Sequence, residues 1–211
     1  MTPIITIIVP CYKRPQRTIR ALESIIKQDL NGWEAIFIGD NCPDFQKFID
    51  DGTFHRYSRD EKLEGNSLIF INLKEHYGGW GSYCRGEGIK LANGKYICFL
   101  DNDDIITNNH LSNYSSFMEA NPEVDMAYFN ARTEPWKKDR RSVLSRGGIG
   151  NAELCLKSLV LKLEYDVDNQ YEHDWRLVDK LMKKKYNIKK CNNLPTYIIM
   201  SIPNAREKGI D

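Results

Sequence analysis

Three carboxylates stand within four residues at positions 101–104, which read Asp-Asn-Asp-Asp. Carboxylates this close repel one another unless water or a cation compensates their charge. They follow directly on the apolar run 96–100, which predicts that they leave the end of a buried strand rather than the surface of a helix. The pattern favours a divalent-cation site, and an acidic cap on the following helix is the alternative interpretation.

Two other predicted strands also lead into residues that suit a ligand. These residues are Pro10, Tyr12 and Arg14 after the first strand and Asp40 after the second. Ligands of open α/β sheets bind at the carboxyl ends of the strands, so these side chains are expected to meet residues 101–104 at one edge. An aromatic ring for stacking, an acid for a base N–H group, and carboxylates for a ribose and a metal together suit a nucleotide.

Strands and helices alternate along the first half of the chain. Short apolar runs predict strands at 4–9, 33–38, 68–73 and 95–100, and a 3.6-residue period predicts helices from 15 until Gly32 and over 83–91. This alternation predicts an α/β fold with a mostly parallel central sheet flanked by helices. Farther along, the patterns predict helices at 110–120 and 172–183, a strand at 126–130, an irregular loop at 134–150 and a last apolar run at 197–202.

The composition argues against several classes of protein. The 211 residues are 41% hydrophobic and 28% charged, which is enough for one sizeable domain with a buried core. A net charge of +1 argues against a nucleic-acid partner. No apolar run approaches the ~20 residues of a membrane span and no basic leader precedes residue 4, so no transmembrane segment and a cytoplasmic location are expected.

The cysteines and most histidines give no sign of a metal or disulfide framework. The six cysteines form no CxxC pair, which predicts reduced and mostly buried thiols. The histidines His55, His76 and His110 fall in predicted loops or at a helix start, so they are expected to be solvated.

Taken together, these residues resemble the family 2 glycosyltransferases of the GT-A fold. The first strand of that family typically ends in V-P-x-Y-N/K-R, which residues 9–14 match, and the second ends in a V-D-D-G-S-like turn, which residues 38–42 match loosely. A longer family segment, G-x-x-x-A-R-N-x-G-I-x-x-A-x-G-x-Y-I-x-F-L-D-x-D-D, is matched within residues 81–104, in register from Arg85 to Asp104. The resemblance covers residues 4–106 well and implies a GT-A fold for the chain.

The resemblance also implies roles for the residues of the donor site. Tyr12 would stack on uracil, Asp40 would accept the uracil N3–H, and Pro10 would shape the floor of the pocket. Asp101 would meet the ribose, and Asp101 and Asp103 would hold Mn²⁺ or Mg²⁺ against the diphosphate. The remaining candidates for nucleotide binding are Arg14, Gly79, Arg85 and Asn102.

The second half of the chain matches the family only through residues 172–175, which read Glu-His-Asp-Trp. They resemble the family's acidic E-D-W/Y motif with His173 in place of an acid. The resemblance implies that Asp174 is the general base for the acceptor hydroxyl, with Glu172 as its substitute. A helix N-cap is the alternative role of Asp174. A further metal ligand, which many GT-A enzymes take from a late histidine, would here be His173 or water.

The expected protein is therefore a metal-dependent glycosyltransferase with one GT-A domain over residues 1–211. Residues 1–106 would bind the nucleotide sugar, and residues 107–211 would bind the acceptor and supply the base. The expected donor is UDP-glucose or a UDP-deoxysugar, and the expected acceptor is a hydroxyl of a glycan or glycoprotein. Tyr128 and Trp136 are candidates for contacts with an acceptor sugar or for the core.

Two other functions remain open. A non-catalytic module that binds nucleotide sugars or glycans would keep the nucleotide residues and would not depend on the general base. A sugar nucleotidyltransferase is disfavoured, because residues 10–15 contain no glycine for a phosphate-binding loop. A closer resemblance, to glycosyltransferases with which large algal viruses glycosylate their capsid proteins, would place the chain in the cytoplasm of an infected host.

Overall fold

The computed structural model describes residues 2–58, 63–134, 137–167 and 172–200. The strands are β1 (Ile5–Cys11), β2 (Trp33–Gly39), β3 (Ser67–Asn72), β4 (Tyr96–Phe99), β5 (Ile105–Ile106), β6 (Met126–Tyr128), β7 (Ala131–Glu134), β8 (Lys138–Arg140), β9 (Leu154–Lys157), β10 (Ile188–Lys190) and β11 (Tyr197–Met200). The helices are α1 (Pro15–Ile26), α2 (Pro43–Asp50), α3 (Thr53–Tyr57), α4 (Ser82–Leu91), α5 (His110–Ala120), α6 (Ser158–Glu164) and α7 (His173–Lys183).

Seven strands form the central sheet, in the order β10-β6-β9-β4-β1-β2-β3. β1 pairs in parallel with β2 and β4, β2 pairs in parallel with β3, and β10 pairs in parallel with β6. In the part of the chain that is described, β9 is the one strand of this sheet that runs against the others, between β4 and β6. The prediction of an α/β fold with a mostly parallel sheet is confirmed.

Both faces of the central sheet are covered by helices, which explains why its inner strands β1, β2 and β4 are mostly apolar and buried along their whole length. All seven residues of β1 are buried. Successive side chains point to opposite faces, so Ile7 joins the core beneath α1 while Ile8 joins the core beneath α4, α6 and α7.

A second sheet has the order β5-β11-β7-β8. β5 begins immediately after residues 101–104, and it pairs antiparallel with β11 through Ile106 opposite Tyr197. This pairing brings the last described strand of the chain next to the acidic residues that follow β4. Strands from residues 107–200 thus contribute to both sheets, and the division into two functional halves stays a prediction.

Several element predictions were wrong in detail. The first helix ends at Ile26 rather than at Gly32, because the chain turns there and the Asp29 amide donates to the Asn108 carbonyl. The expected loop 134–150 contains β8, which pairs with β7. The sequence patterns did not predict α2, α3, α6, β5, β7, β9 or β10. Residues 201 and 202 of the last apolar run lie outside the described residues.

The cysteine prediction is confirmed, since all six thiols are free and buried. The prediction for His110 was wrong, because its side chain is fully buried against Tyr114 and its Nδ1 lies 2.8 Å from Thr196 Oγ1. Burial lowers the pKa of His110 to about 3. His55 and His76 are exposed as expected. Within the described residues, no helix is both long and apolar enough to cross a membrane.

Candidate active site

A cleft of about 810 Å³ opens where β1, β2 and β4 end. Its lining includes nine of the residues that the sequence singled out: Pro10, Tyr12, Arg14, Asp40, Arg85, Asp101, Asn102, Asp103 and Asp174. Gly79 is not part of the lining, although its neighbours Gly78 and Trp80 are. The structure therefore brings the candidates from both halves of the chain to one cavity.

The sheet register explains why the donor-side residues meet. Cys11 lies beside Gly39, and the Asp40 amide donates to the Cys11 carbonyl at 2.9 Å. On the other side of β1, the Leu100 amide donates to the Ile8 carbonyl at 3.1 Å. The three strands thus end close together, and the residues that follow them face the same space.

Asp40, which follows β2, binds the glycine-rich loop of residues 76–81. Its Oδ1 accepts the Tyr77 amide and its Oδ2 accepts the Gly78 amide, both at 2.8 Å. Its Oδ2 also lies 2.9 Å from His76 Nδ1. Oδ1, which accepts one amide, keeps lone-pair capacity for a ligand N–H in the cleft.

The ring of Tyr12 does not stand alone. It is 41% exposed and stacks on the imidazole of His76, with centroids 4.5 Å apart and planes inclined by 20°. A base that stacks on Tyr12 would therefore use the other face of the ring or replace His76. No sequence pattern indicates this role of His76, because nothing in its neighbours distinguishes it from a loop histidine.

The loop passes very close to Pro10, which fixes the residue type at one position. Gly81 has φ +79°, and a Cβ atom there would lie 2.8 Å from the Pro10 Cβ. Only glycine satisfies both the left-handed backbone and this approach without strain. Pro10 therefore forms part of the pocket wall by supporting the loop that precedes α4.

The residues at positions 101–104 divide into two pairs with opposite orientations. The side chains of Asp101 and Asp103 face the cleft and are 42% and 26% exposed. Asn102 is buried and donates to Thr18 Oγ1 at 2.9 Å. Its amide is thus engaged with the chain, and its proposed part in nucleotide binding stays a prediction.

Asp104, the other buried member, is tied to the strand β11. Its Oδ2 accepts the Tyr197 hydroxyl at 2.9 Å, and its Oδ1 accepts the Met200 amide at 2.8 Å. Tyr197 Oη in turn accepts the Asp101 amide at 3.0 Å. Burial, and next the charges of the neighbouring carboxylates, raise the pKa of Asp104 to about 8. The second sheet therefore fixes the backbone that presents Asp101 and Asp103.

Each carboxylate that faces the cleft is paired with an arginine. Arg14 Nη1 lies 2.6 Å from Asp103 Oδ2, and Arg85 Nη2 lies 2.5 Å from Asp101 Oδ1. Burial raises the pKa of Asp103 above its ordinary value, against the opposing charge of Arg14. Burial disfavours the charged form of Arg85, but the neighbouring Asp101 outweighs it and the pKa of Arg85 is raised.

The donor set at this position fits a divalent cation that a diphosphate also binds. Mg²⁺ is commonly held by one or two carboxylates together with substrate phosphates, and Mn²⁺ accepts the same oxygen ligands. Asp101 and Asp103 supply two carboxylates, whereas no group of three or more His, Cys, Asp or Glu side chains among the described residues could hold a metal. A metal here would thus need ligand oxygens to complete its shell.

The opposite wall of the cleft carries the start of α7. Glu172 precedes the helix with φ 71°, and Asp174 lies in its first turn, where the helix dipole favours a carboxylate. Asp174 Oδ1 accepts the Trp175 amide at 2.8 Å, and a Cβ placed on Gly150 would lie 3.4 Å from Asp174 Oδ2. The missing side chain of Gly150 thus leaves room beside that oxygen.

Glu172 is less available than Asp174. Its carboxylate pairs with Arg146 at 2.6 Å, and this interaction lowers the pKa of Glu172. A proton acceptor whose lone pairs already hold a cation is a weaker base. The arrangement favours Asp174 over its substitute, and the assignment of the base stays a prediction.

His173 joins the two walls. Its Nε2 lies 2.9 Å from Asn151 Nδ2 and 3.3 Å from Arg85 Nη1. Arg85 also donates to the Trp80 carbonyl at 2.7 Å. Arg85 therefore contacts the carboxylate of Asp101, the glycine-rich loop and the start of α7.

Another buried acid, Glu153, lies on the side of the cleft that carries the start of α7. Glu153 is 1% exposed, its Oε1 lies 3.0 Å from Arg140 Nε, and its Oε2 accepts the Gly150 amide at 2.6 Å. Burial raises the pKa of Glu153. The sequence analysis missed Arg140, Asn151 and Glu153, since they come from a segment without a regular period.

The two aromatic candidates for acceptor contacts have different outcomes. Tyr128 is partly buried, packs against the core beneath α7 and is not part of the cleft lining. The Lys190 ammonium lies 5.8 Å from the centroid of its ring. Trp136 lies outside the described residues.

These observations define the class of protein. The fold is the GT-A fold, with a cleft at the carboxyl ends of a mostly parallel sheet. Residues 6–162 match the family model Glycosyl transferase family 2, and the chain belongs to that family.

Similar sequences carry glycosyltransferase names. The chain is 26% identical over 168 residues to the UDP-Glc:alpha-D-GlcNAc-diphosphoundecaprenol beta-1,3-glucosyltransferase WfgD of Escherichia coli, which covers 75% of this chain and 62% of the relative. It is 31% identical over 110 residues to the putative colanic acid biosynthesis glycosyl transferase WcaA of Escherichia coli, which covers 52% of this chain and 36% of the relative. The chain thus spans less than two thirds of the length of each. These bacterial relatives give no support to the expected algal-virus origin.

Similar solved structures include nucleotide complexes. Staphylococcus aureus TarS 1–349 in complex with UDP-GlcNAc has a TM-score of 0.77 at 18% identity, covering 95% of this chain and 59% of TarS 1–349. The mannosyltransferase PcManGT of Pyrobaculum calidifontis, in complex with GDP-Man and Mn²⁺, has a TM-score of 0.75 at 15% identity, covering 97% of this chain and 58% of PcManGT. At these identities the likeness shows the shared fold.

Proposed function

We propose that the chain is the catalytic domain of a metal-dependent glycosyltransferase, which transfers a sugar from a UDP-sugar to a hydroxyl of a glycan or glycoprotein. One observation carries this proposal: Tyr12, Asp40, Asp101 and Asp103 face the same cleft as Asp174. Nucleotide-binding groups and a possible base thereby flank one space from two sides.

The donor side suits a uridine nucleotide. Tyr12 offers a ring face, and Asp40 offers a carboxylate oxygen to a base N–H. The UDP-GlcNAc complex of TarS and the printed name of WfgD, which specifies UDP-Glc, support a UDP-sugar as the donor. UDP-glucose and a UDP-deoxysugar are the first donors to test.

Asp101 and Asp103 would hold Mn²⁺ or Mg²⁺, which when bound neutralises the negative charge of the departing diphosphate. Arg14 and Arg85 keep these two carboxylates oriented toward the cleft. Both arginines line the cleft, so their positive charges lie near the space that a diphosphate would occupy.

The acceptor hydroxyl must lose its proton as it attacks the sugar, so a carboxylate within hydrogen-bond reach is required. Asp174 meets this requirement, because its Oδ2 borders the open space at Gly150.

The proposal includes a division of labour and a location. Residues 1–106 bind the donor, residues 107–211 bind the acceptor and supply the base, and the protein acts in the cytoplasm. The family match favours sugar transfer over the two alternatives, a non-catalytic binding module and a sugar nucleotidyltransferase.

Calorimetric titration with UDP, GDP and CMP, each with and without Mn²⁺, tests the donor site. We expect UDP to bind tightest and to need the metal. The protein should then release UDP from a UDP-sugar, and faster when a hydroxyl acceptor is present. UDP binding without any release of UDP would favour the binding module, and consumption of UTP with a sugar phosphate would favour the nucleotidyltransferase.

A further inference from the structure

A basic segment lies beside the acceptor wall. Residues 137–146 carry five basic side chains and one acidic side chain, a formal net charge of +4 in a chain whose total is +1. The acid, Asp139, is already paired with Arg132 at 3.1 Å. Lys137, Lys138 and Arg141 are exposed. This basic segment includes β8 and leads into the cleft wall at residues 147–153.

Arg140 is the member of the basic segment that lines the cleft. Its side chain is 39% exposed, and it is anchored by Glu153, which is 1% exposed. The ion pair joins Arg140 Nε to Glu153 Oε1 at 3.0 Å, and the two Nη groups carry the other four of the five N–H donors. The buried carboxylate thereby keeps the guanidinium and its donor fork at the cleft surface.

The fork lies next to the candidate base. Gly150 connects the two, because a Cβ placed on it would lie 3.4 Å from Asp174 Oδ2 and 3.6 Å from Glu153 Oε2. An acceptor hydroxyl at Asp174 would thus have Arg140 in its vicinity, across a residue without a side chain. The donor-side cations, Arg14 and Arg85, are paired with Asp103 and Asp101 on the other wall.

We propose that the acceptor is anionic, with a phosphate or carboxylate near the reacting hydroxyl, and that Arg140 binds this anion. The inference rests on the proposed function and names the substrate class of its acceptor site. The guanidinium fork matches both anions in a bidentate manner. The exposed lysines and Arg141 at the rim raise the local concentration of such an acceptor, an effect that salt weakens.

The test uses the whole chain saturated with UDP and Mn²⁺, so that phosphate probes do not occupy the diphosphate site. Glucose 6-phosphate, glucuronate and glucose are titrated in parallel. We expect at least one of the two anions to bind about tenfold or more tightly than glucose, which corresponds to ~1.4 kcal/mol. The comparison between the two anions distinguishes a phosphate-bearing from a carboxylate-bearing acceptor.

Arg140→Gln should abolish the preference for the anions and leave the affinity for UDP unchanged. Arg132→Gln is the matched control, because that arginine is equally exposed, pairs with Asp139 and does not line the cleft. The double variant Arg140→Gln with Glu153→Gln removes the unpaired buried charge, in case the single variant does not fold. Arg140→Lys keeps the charge but not the fork and should retain part of the preference.

Three results would overturn the inference: equal binding of glucose and both anions, an anion preference that survives Arg140→Gln, or an equal loss in Arg132→Gln. If UDP binds and is released from a UDP-sugar in any of these cases, the proposed function stands and the anionic acceptor does not. A wild-type chain that binds no nucleotide would overturn both.

Discussion

The two walls of the cleft are built in different ways. On the donor wall, Tyr12, Asp40 and Asp101 each follow the end of a parallel strand, and the strands are neighbours in one sheet. On the acceptor wall, Asp174 lies at the start of a helix, and Arg140 is held through a buried carboxylate. The donor wall thus depends on the sheet, whereas the acceptor wall depends on contacts between segments distant in sequence.

Because of this difference, we expect substitutions on the two walls to have different consequences. A strand end is fixed by many backbone hydrogen bonds, so its backbone should keep its position when a side chain that faces the cleft is changed. The acceptor wall is joined by single side-chain contacts, such as Asn151 to His173 at 2.9 Å. Substitutions on the two walls should therefore affect different steps, with binding of the nucleotide on one wall and turnover on the other.

The largest effect is expected at the acceptor wall, for Asp174→Asn. The amide cannot take a proton from the acceptor hydroxyl, so turnover should fall by a factor of ~10²–10⁴. Binding of UDP with Mn²⁺ should survive, because Asp174 lies on the other wall from Asp101 and Asp103. Steady-state release of UDP from a UDP-sugar, with calorimetry of UDP, measures both quantities.

Asp179→Asn is the matched control for this variant. It removes a carboxylate from the same helix, where Asp179 pairs with Lys183 outside the cleft. Turnover should stay within about twofold of the wild type. Full turnover in Asp174→Asn would remove this residue from the mechanism and erase the proposed difference between the walls.

The next effect is expected at the donor wall, for Asp103→Ala. The gain in UDP affinity that Mn²⁺ provides should disappear, since one of two carboxylates for the metal is lost. Metal-free binding of UDP should persist or rise, because the charge of Arg14 is no longer offset by the carboxylate that lies 2.6 Å away. Titration of UDP at several Mn²⁺ concentrations measures both.

Asp50→Ala, which removes an exposed acid at the end of α2, is the control for the general loss of negative charge. Its response to Mn²⁺ should equal that of the wild type. An unchanged response in Asp103→Ala itself would contradict the metal assignment and leave the donor wall as a metal-free nucleotide site.

The same difference explains which residues the sequence could predict. A strand end is marked locally, by an apolar run that stops at polar residues. The sequence therefore predicts that Asp40 and Asp101 lie at the edge of the sheet. Arg140 and Glu153 meet across a loop and a 3₁₀ turn, and neither sits in a periodic segment. The loop that contains His76 is positioned by its hydrogen bonds to Asp40. No local sequence pattern indicates these bonds.

The elements missed by the sequence analysis have a similar cause. β9 inserts antiparallel between two strands that are parallel to each other, so its neighbours come from distant parts of the chain. Its four residues are too few to show a period. The long helix α5 was predicted with its observed bounds, because eleven residues are enough to show an apolar face.

A smaller effect is expected for Tyr12→Ala. Loss of a stacking face should weaken binding of UDP, GDP and CMP alike by ~1–3 kcal/mol, which is about fivefold to a hundredfold. Tyr77→Ala is the matched control, since that ring is also exposed and stacks on Tyr83 but does not line the cleft. A loss confined to sugar-bearing nucleotides would contradict stacking of the base and would assign the ring to the sugar.

The smallest effect concerns the packing that supports both walls, at the buried His110. Its pKa falls from 6.5 to about 3 on folding because burial disfavours the charged ring. The unfolded chain therefore binds an extra proton between these two values, and the free energy of unfolding decreases as the pH is lowered from 6.5 towards 3. Above pH 6.5 the ring is neutral in both states and contributes no slope.

His110→Phe should remove this contribution, because phenylalanine does not titrate and can keep the contact with Tyr114. Urea unfolding of the wild type should lose about 1 kcal/mol more than the variant between pH 6 and pH 5. The lost contact with Thr196 lowers the stability of the variant at every pH, so the slope and not the absolute stability is the readout. His55→Gln, at an exposed histidine, should keep the wild-type slope. Equal slopes of the free energy of unfolding against pH in wild type and His110→Phe would mean that the His110 ring is protonated in the folded chain. The contact between α5 and β11 would then break in acid before the chain unfolds.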